Sequence, residues 1–136
     1  MNQGALNPDA LMAKAAQASA SARALLELGD ADGAANRAYY AMFDAARAAL
    51  LARGALPETG RTHRGLIGTF GRFVLENRPD IKEMGRFLNR AHETRLLADY
   101  TGDGVDREEA QKLVEQAAAF VAAMRDGFVR GDVAAA

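Results

Sequence analysis

Apolar residues recur at steps of three and four along most of the chain. Leu11, Ala15, Ala18, Ala22 and Leu25 form one line, and Tyr39, Met42, Phe43, Ala46 and Leu50 a second. Met84, Phe87, Leu88, Ala91 and Ala98 form another, as do Ala110, Leu113, Ala117, Phe120, Val121 and Met124. Side chains at this period share one face of an α-helix. Five helices are predicted: Pro8 to Leu28, Ala31 to Arg53, Thr62 to Glu76, Ile81 to Asp99, and Arg107 to about Arg130. Asn7, Asp30, Thr62, Asp80 and Asp106 stand where helix-capping side chains belong, and Pro8 suits a first helical position. Gly29 and Gly54 suit helix ends. The stretch Gly54–Gly60 reads as a loop, Thr101–Asp106 as a turn and Gly131–Ala136 as a loose tail. Gly65, Gly68 and Gly71 weaken the third helix by up to about 1 kcal/mol each against alanine, although they also permit close approach of a neighbour.

Five amphipathic segments with short connections predict an all-α, antiparallel up-and-down bundle of four to five helices, forming a single domain over 1–136. Composition strengthens this. Alanine fills 31 of 136 positions, while β-branched residues are few. Small faces of this kind let helices pack closely, and a strand-rich fold is disfavoured. The lack of cysteine removes disulfides, thiolate metal sites and a cysteine nucleophile. No apolar run is long enough to span a membrane. The first eight residues do not resemble a secretion signal, so a cytoplasmic protein is expected.

Net charge is −1, but it is unevenly spread. Residues 61–95 carry eight basic and four acidic groups, whereas 96–136 carry four and eight. The basic segment also contains both histidines, His63 and His92. Arginine outnumbers lysine 14 to 3, and its planar fork suits carboxylate or phosphate oxygens.

Placed on an ideal helix, Asn36, Tyr40 and Arg47 form a polar line at the edge of the second helix. On the fourth, Arg95 falls about 20° from Met84, inside the apolar face, at the usual turn of about 100° per residue. A buried arginine needs a partner, and Asp99, one turn on, is the expected one. His92 is also within reach of Arg95. A histidine there either is a satisfied edge residue or moves protons near neutral pH. His63, in Thr62-His63-Arg64-Gly65, is either part of a helix start or one of several donors near a helix N-terminus. Histidines and carboxylates show no metal-ligand spacing, and no phosphate-loop or dinucleotide motif occurs. Neither a metal nor a cofactor is therefore expected.

The string Ala35-Asn36-Arg37-Ala38-Tyr39-Tyr40-Ala41-Met42-Phe43 resembles the signature helix of HEPN-domain proteins. The resemblance continues through Thr62-His63-Arg64-Gly65, Phe70, Arg95-Leu96-Leu97-Ala98-Asp99-Tyr100 and Ala117-Ala118-Ala119-Phe120. It is similar to a small stand-alone branch of that family. The resemblance implies a helical bundle that often forms homodimers and frequently accompanies a minimal nucleotidyltransferase in toxin–antitoxin or defence modules. Many members of the superfamily are metal-independent RNases with an arginine four to six residues before a histidine. Arg86 and His92 satisfy that spacing, although they lie about 120° apart around an ideal helix. Phe87 and Thr94 occupy positions where the motif has a polar residue and a tyrosine.

Two functions follow. In the first, a polar groove between the second and fourth helices, with Asn36, Tyr40, Arg47, His63, Arg95, Asp99 and Tyr100, binds a nucleotide, RNA or a nucleotidyltransferase. In the second, His92 with Arg86 or Arg95 cleaves RNA without a metal.

Overall fold

The computed structural model describes residues 7–55 and 61–129. They form five α-helices, α1 (Pro8–Glu27), α2 (Ala31–Ala52), α3 (His63–Asn77), α4 (Glu83–Thr101) and α5 (Arg107–Met124). The chain is an all-α antiparallel bundle, with no strand among the described residues. The expected tail Gly131–Ala136 lies outside the described residues.

Four of the predicted caps form. Asn7 Oδ1 accepts from the Asp9 and Ala10 amides, and Asp30 Oδ1 from that of Gly33. Thr62 Oγ1 accepts from Gly65 N at 3.0 Å and Asp106 Oδ1 from Glu109 N at 2.8 Å. Each satisfies an amide that the helix itself leaves without an acceptor. The fifth cap does not form. Pro79–Ile81 is a 3₁₀ turn, and α4 starts at Glu83. Asp80 instead takes two hydrogen bonds from Arg78, at 2.9 and 2.8 Å. The far end of α4 extends to Thr101 and stops where Gly102 turns to φ +78°, a left-handed conformation that glycine adopts freely. α5 ends at Met124 and passes into a π-helical turn, Arg125–Val129, which carries Phe128 into the core against Phe73.

α2 is the central element and contacts the other four helices. Its alanines at 34, 38, 41, 45, 46, 48 and 49 are fully buried, as are Ala15 and Ala22 of α1. Short side chains leave room for close backbone approach, and α1 and α2 share the most extensive contact in the molecule. The larger core side chains, Tyr39, Phe70, Leu66, Leu88, Leu113, Phe120 and Met124, fill the space among α2, α3, α4 and α5. α3 and α4 touch at one glycine pair, where a Cβ on Gly85 would sit 3.6 Å from Gly71 Cα. Arg90 pairs with Glu109 to tie α4 to α5. Val105 N donates to Asp32 Oδ1 and fixes the loop after α4 against the start of α2.

Candidate functional site

α2, α3 and α4 converge on Tyr39. This ring is fully buried in the middle of α2, on the apolar face that the sequence assigned to it. The first residue of α3, His63, brings its ring nitrogen Nδ1 to 2.8 Å from the Tyr39 hydroxyl. His92, in the middle of α4, lies with its ring centroid 5.5 Å from that of Tyr39 and 6.0 Å from that of His63. Phe43 stacks against His63 at 4.7 Å, and Tyr40 meets it edge-on at 5.8 Å. Two half-buried imidazoles therefore share an aromatic floor built by α2.

Arg95 covers the same floor. Its guanidinium carbon stands 5.3 Å from the Tyr39 ring centre and 5.4 Å from that of Tyr40. The aromatic faces attract the cation, and this answers how an arginine sits in the apolar face of α4. Asp99, the expected partner, holds it only loosely. Arg95 Nε to Asp99 Oδ2 is 4.0 Å, beyond hydrogen-bond length, and the Asp99 side chain is 68% exposed. Arg95 Nε and His92 Nδ1 are both buried without a hydrogen-bond partner among the described residues. Two unsatisfied polar atoms on adjacent turns of one helix are uncommon in a packed protein.

The electrostatics are consistent across the cluster. Burial pushes the Tyr39 hydroxyl well above the usual phenol range, so it stays protonated. Burial also lowers the pKa of His63, and the positive charge of Arg95 adds to this. For His92 burial again lowers the pKa most, followed by His63, Arg95 and Arg64, against a small opposing effect of Glu93. Both imidazoles are therefore neutral at pH 7, each with one ring nitrogen that accepts rather than donates.

Two clefts of about 330 Å³ flank the cluster. One lies between α3 and α4 and is lined by Arg64, Ile67, Asn89, His92, Glu93 and Leu96. The other lies between α2 and α4, where Asp32, Asn36, Arg95, Asp99 and Asp103 supply its polar wall. His92 opens on the first and Arg95 on the second.

The remaining candidate residues take other positions. Arg86 is exposed on α4 and is not among the charges that act on His92. Arg47 is half-buried further along α2 and, with Lys14 and Arg37, acts on the half-buried carboxyl of Asp44. Tyr100 is 91% exposed at the end of α4. Asn36 lines the cleft between α2 and α4 and takes a long hydrogen bond from Arg37. Sequence reading missed Tyr39 as a polar member of the site, since its spacing placed it in the core. It also did not join His63 to His92. Among the described residues no three His, Cys, Asp or Glu side chains gather into a metal-ligand set.

The geometry defines a helical bundle with a histidine–arginine cluster held on an aromatic floor. The chain matches the HEPN domain over residues 9–127 and belongs to that family. It is 38% identical to a provisionally named toxin of Methanocaldococcus jannaschii over 86 residues, which cover 62% of this chain and 61% of the relative. The chain thus spans about three-fifths of that protein's length. It is 36% identical to a UPF0332 protein of Gloeobacter violaceus over 113 residues, covering 82% of this chain and 87% of the relative. A UPF0332 protein of Thermotoga maritima is 38% identical over 88 residues, covering 65% and 64%. No described helix is long and apolar enough to cross a membrane.

Proposed function

We propose that this HEPN protein is a toxin-like endoribonuclease that works without a metal, with His92 as its base and Arg95 as its phosphate-binding group. The observation that carries the reading is His92 lining a cleft with Arg64, one turn of α4 from Arg95. The similarity to a provisionally named toxin points the same way. In the reaction, His92 takes the proton of an RNA 2′-hydroxyl. The 2′-oxygen attacks the adjacent phosphorus, and the bond to the 5′-oxygen breaks, leaving a 2′,3′-cyclic phosphate and a 5′-hydroxyl. Arg95 and Arg64 offset the charge that builds on the phosphate oxygens. A neutral imidazole suits the base role, and its depressed pKa supplies that form at neutral pH. The test is cleavage of cellular RNA in EDTA by the wild type, His92→Ala and Arg95→Ala. Loss of cleavage in both variants supports the reading.

A second reading rests on the cleft between α2 and α4. Asn36, Arg95 and Asp99 line it together, as a nucleotide-binding or nucleotidyltransferase-binding groove would require, with Tyr40 supporting Arg95 from below. Binding without cleavage, in pull-down and oligonucleotide titration, distinguishes it. Either activity would be exerted in the cytoplasm. Leu96, Leu97 and Tyr100, 42%, 64% and 91% exposed on one side of α4, are apolar surface that a homodimer would cover, and light scattering at micromolar concentration tests this.

A further inference from the structure

Tyr39 and His63 have no part in the reaction just described, yet they make the shortest polar contact between helices in the cluster. Tyr39 is completely buried, and among the described residues His63 Nδ1 is the only hydrogen-bond partner of its hydroxyl. A buried O–H is far better used as a donor than left without an acceptor. The Tyr39 hydroxyl therefore donates and His63 Nδ1 accepts. An imidazole whose Nδ1 accepts carries its proton on Nε2. When His63 gains a second proton, that proton enters at Nδ1 and the tyrosine oxygen turns to accept it. In both charge states Nε2 presents an N–H.

We infer that His63 is the second proton-transfer group of the nuclease site, the acid that protonates the leaving 5′-oxygen, and that Tyr39 is the positioning residue that keeps its Nε2–H forward. The inference rests on the nuclease reading above and extends it. His63 stands 6.0 Å from His92, ring centre to ring centre, near enough for two oxygens of one phosphate lying beside the pair to meet one nitrogen of each ring. In the forward step His92 accepts the 2′-hydroxyl proton while protonated His63 gives its Nε2 proton to the 5′-oxygen as the P–O5′ bond breaks. One proton has then moved from His63 to His92, and exchange with water restores both.

Every neighbour of His63 fits this division of labour. From α2 it meets Tyr39, Tyr40 and Phe43. From α4 it meets His92, and the charge of Arg95 acts on it. Arg64 follows it in the chain and acts on His92, as does Glu93. No carboxylate among the described residues contributes to its shift, so a negatively charged phosphate entering the site is the group that would favour its protonated form. The site thus charges its acid when the substrate arrives.

The test uses two RNA dinucleotides, one ordinary and one with sulfur in place of the 5′-bridging oxygen. A thiolate leaves without a proton, so only the sulfur substrate dispenses with an acid. His63→Ala is expected to cleave the ordinary substrate at least about 100-fold more slowly, the lower range for loss of a general acid or base. On the sulfur substrate it should come within about tenfold of wild type, while His92→Ala stays slow on both. Tyr39→Phe keeps the ring and removes the hydroxyl. It should give the same pattern in weaker form, and ¹⁵N spectra should show the Nε2–H tautomer of His63 falling from near-exclusive in the wild type towards the mixture of a free imidazole. If His63→Ala is equally slow on both substrates, or active on both, His63 is not the acid, although the nuclease reading stands. An unchanged His63 tautomer in Tyr39→Phe overturns the positioning role. A folded wild type that cleaves neither substrate overturns the nuclease reading and this inference together.

Discussion

The Tyr39 hydroxyl lies 2.8 Å from His63 Nδ1 and joins the centre of α2 to the first turn of α3. Burial keeps the phenol protonated, so the contact is a neutral hydrogen bond between a donor with no other partner among the described residues and a half-buried imidazole. Tyr39→Phe should lower stability by about 1 kcal/mol, the usual net value of one hydrogen bond. Urea unfolding measures it. A loss of several kcal/mol would mean that the hydroxyl does more than bond His63.

Protonation of the two histidines opposes folding. Both have folded-state pKa values below the ordinary 6.5, while the unfolded chain keeps the ordinary value. Below about pH 6.5 the unfolded chain therefore binds more protons, and stability falls as pH falls through the folded-state values. The melting temperature should drop between pH 7 and pH 5. The drop should be smaller in His63→Ala/His92→Ala, once the acidic side chains common to both are allowed for.

Arg95 adds positive charge beside both imidazoles. In Arg95→Ala this repulsion disappears, and the NMR titration midpoints of His63 and His92 should move up towards 6.5 without reaching it, because burial, the larger effect, remains. Arg95→Lys should leave the midpoints nearly unchanged but weaken the stacking on Tyr39 and Tyr40, for which the planar guanidinium is better suited.

The core gives a control remote from the chemistry. Phe120 is fully buried and meets Phe70 at 5.3 Å between ring centres. Phe120→Ala should cost about 3–5 kcal/mol, measured by chemical denaturation. Its effect on the histidine titrations should be small in whatever fraction remains folded.

The helices and most of their ends were legible because local chemistry sets them. Asn7, Asp30, Thr62 and Asp106 cap as their side chains require, and the apolar stripes of α2 and α5 are the buried ones. Asp80 misled because a nearer cation, Arg78, competes for its carboxylate. The π-helical turn at Arg125–Val129 was illegible, since Phe128 is drawn inwards by Phe73 of a distant helix. The site was half legible. Arg95 stood out as a charge in an apolar stripe, but the stripe alone could not show that two tyrosine faces, more than Asp99, hold it. His63 and His92 meet only through the packing of α3 and α4 on α2. Helical periodicity describes one helix at a time and contains no such information.

The most direct measurement of the central claim is cleavage of a defined RNA in the presence of EDTA, comparing folded wild type with His92→Ala. The wild type should produce 2′,3′-cyclic phosphate ends, with a rate that falls as pH drops through the depressed range of His92 and protonates the base, and His92→Ala should be at least about 100-fold slower. A wild type that leaves RNA intact under these conditions, or a His92→Ala protein that cleaves as fast, would contradict it.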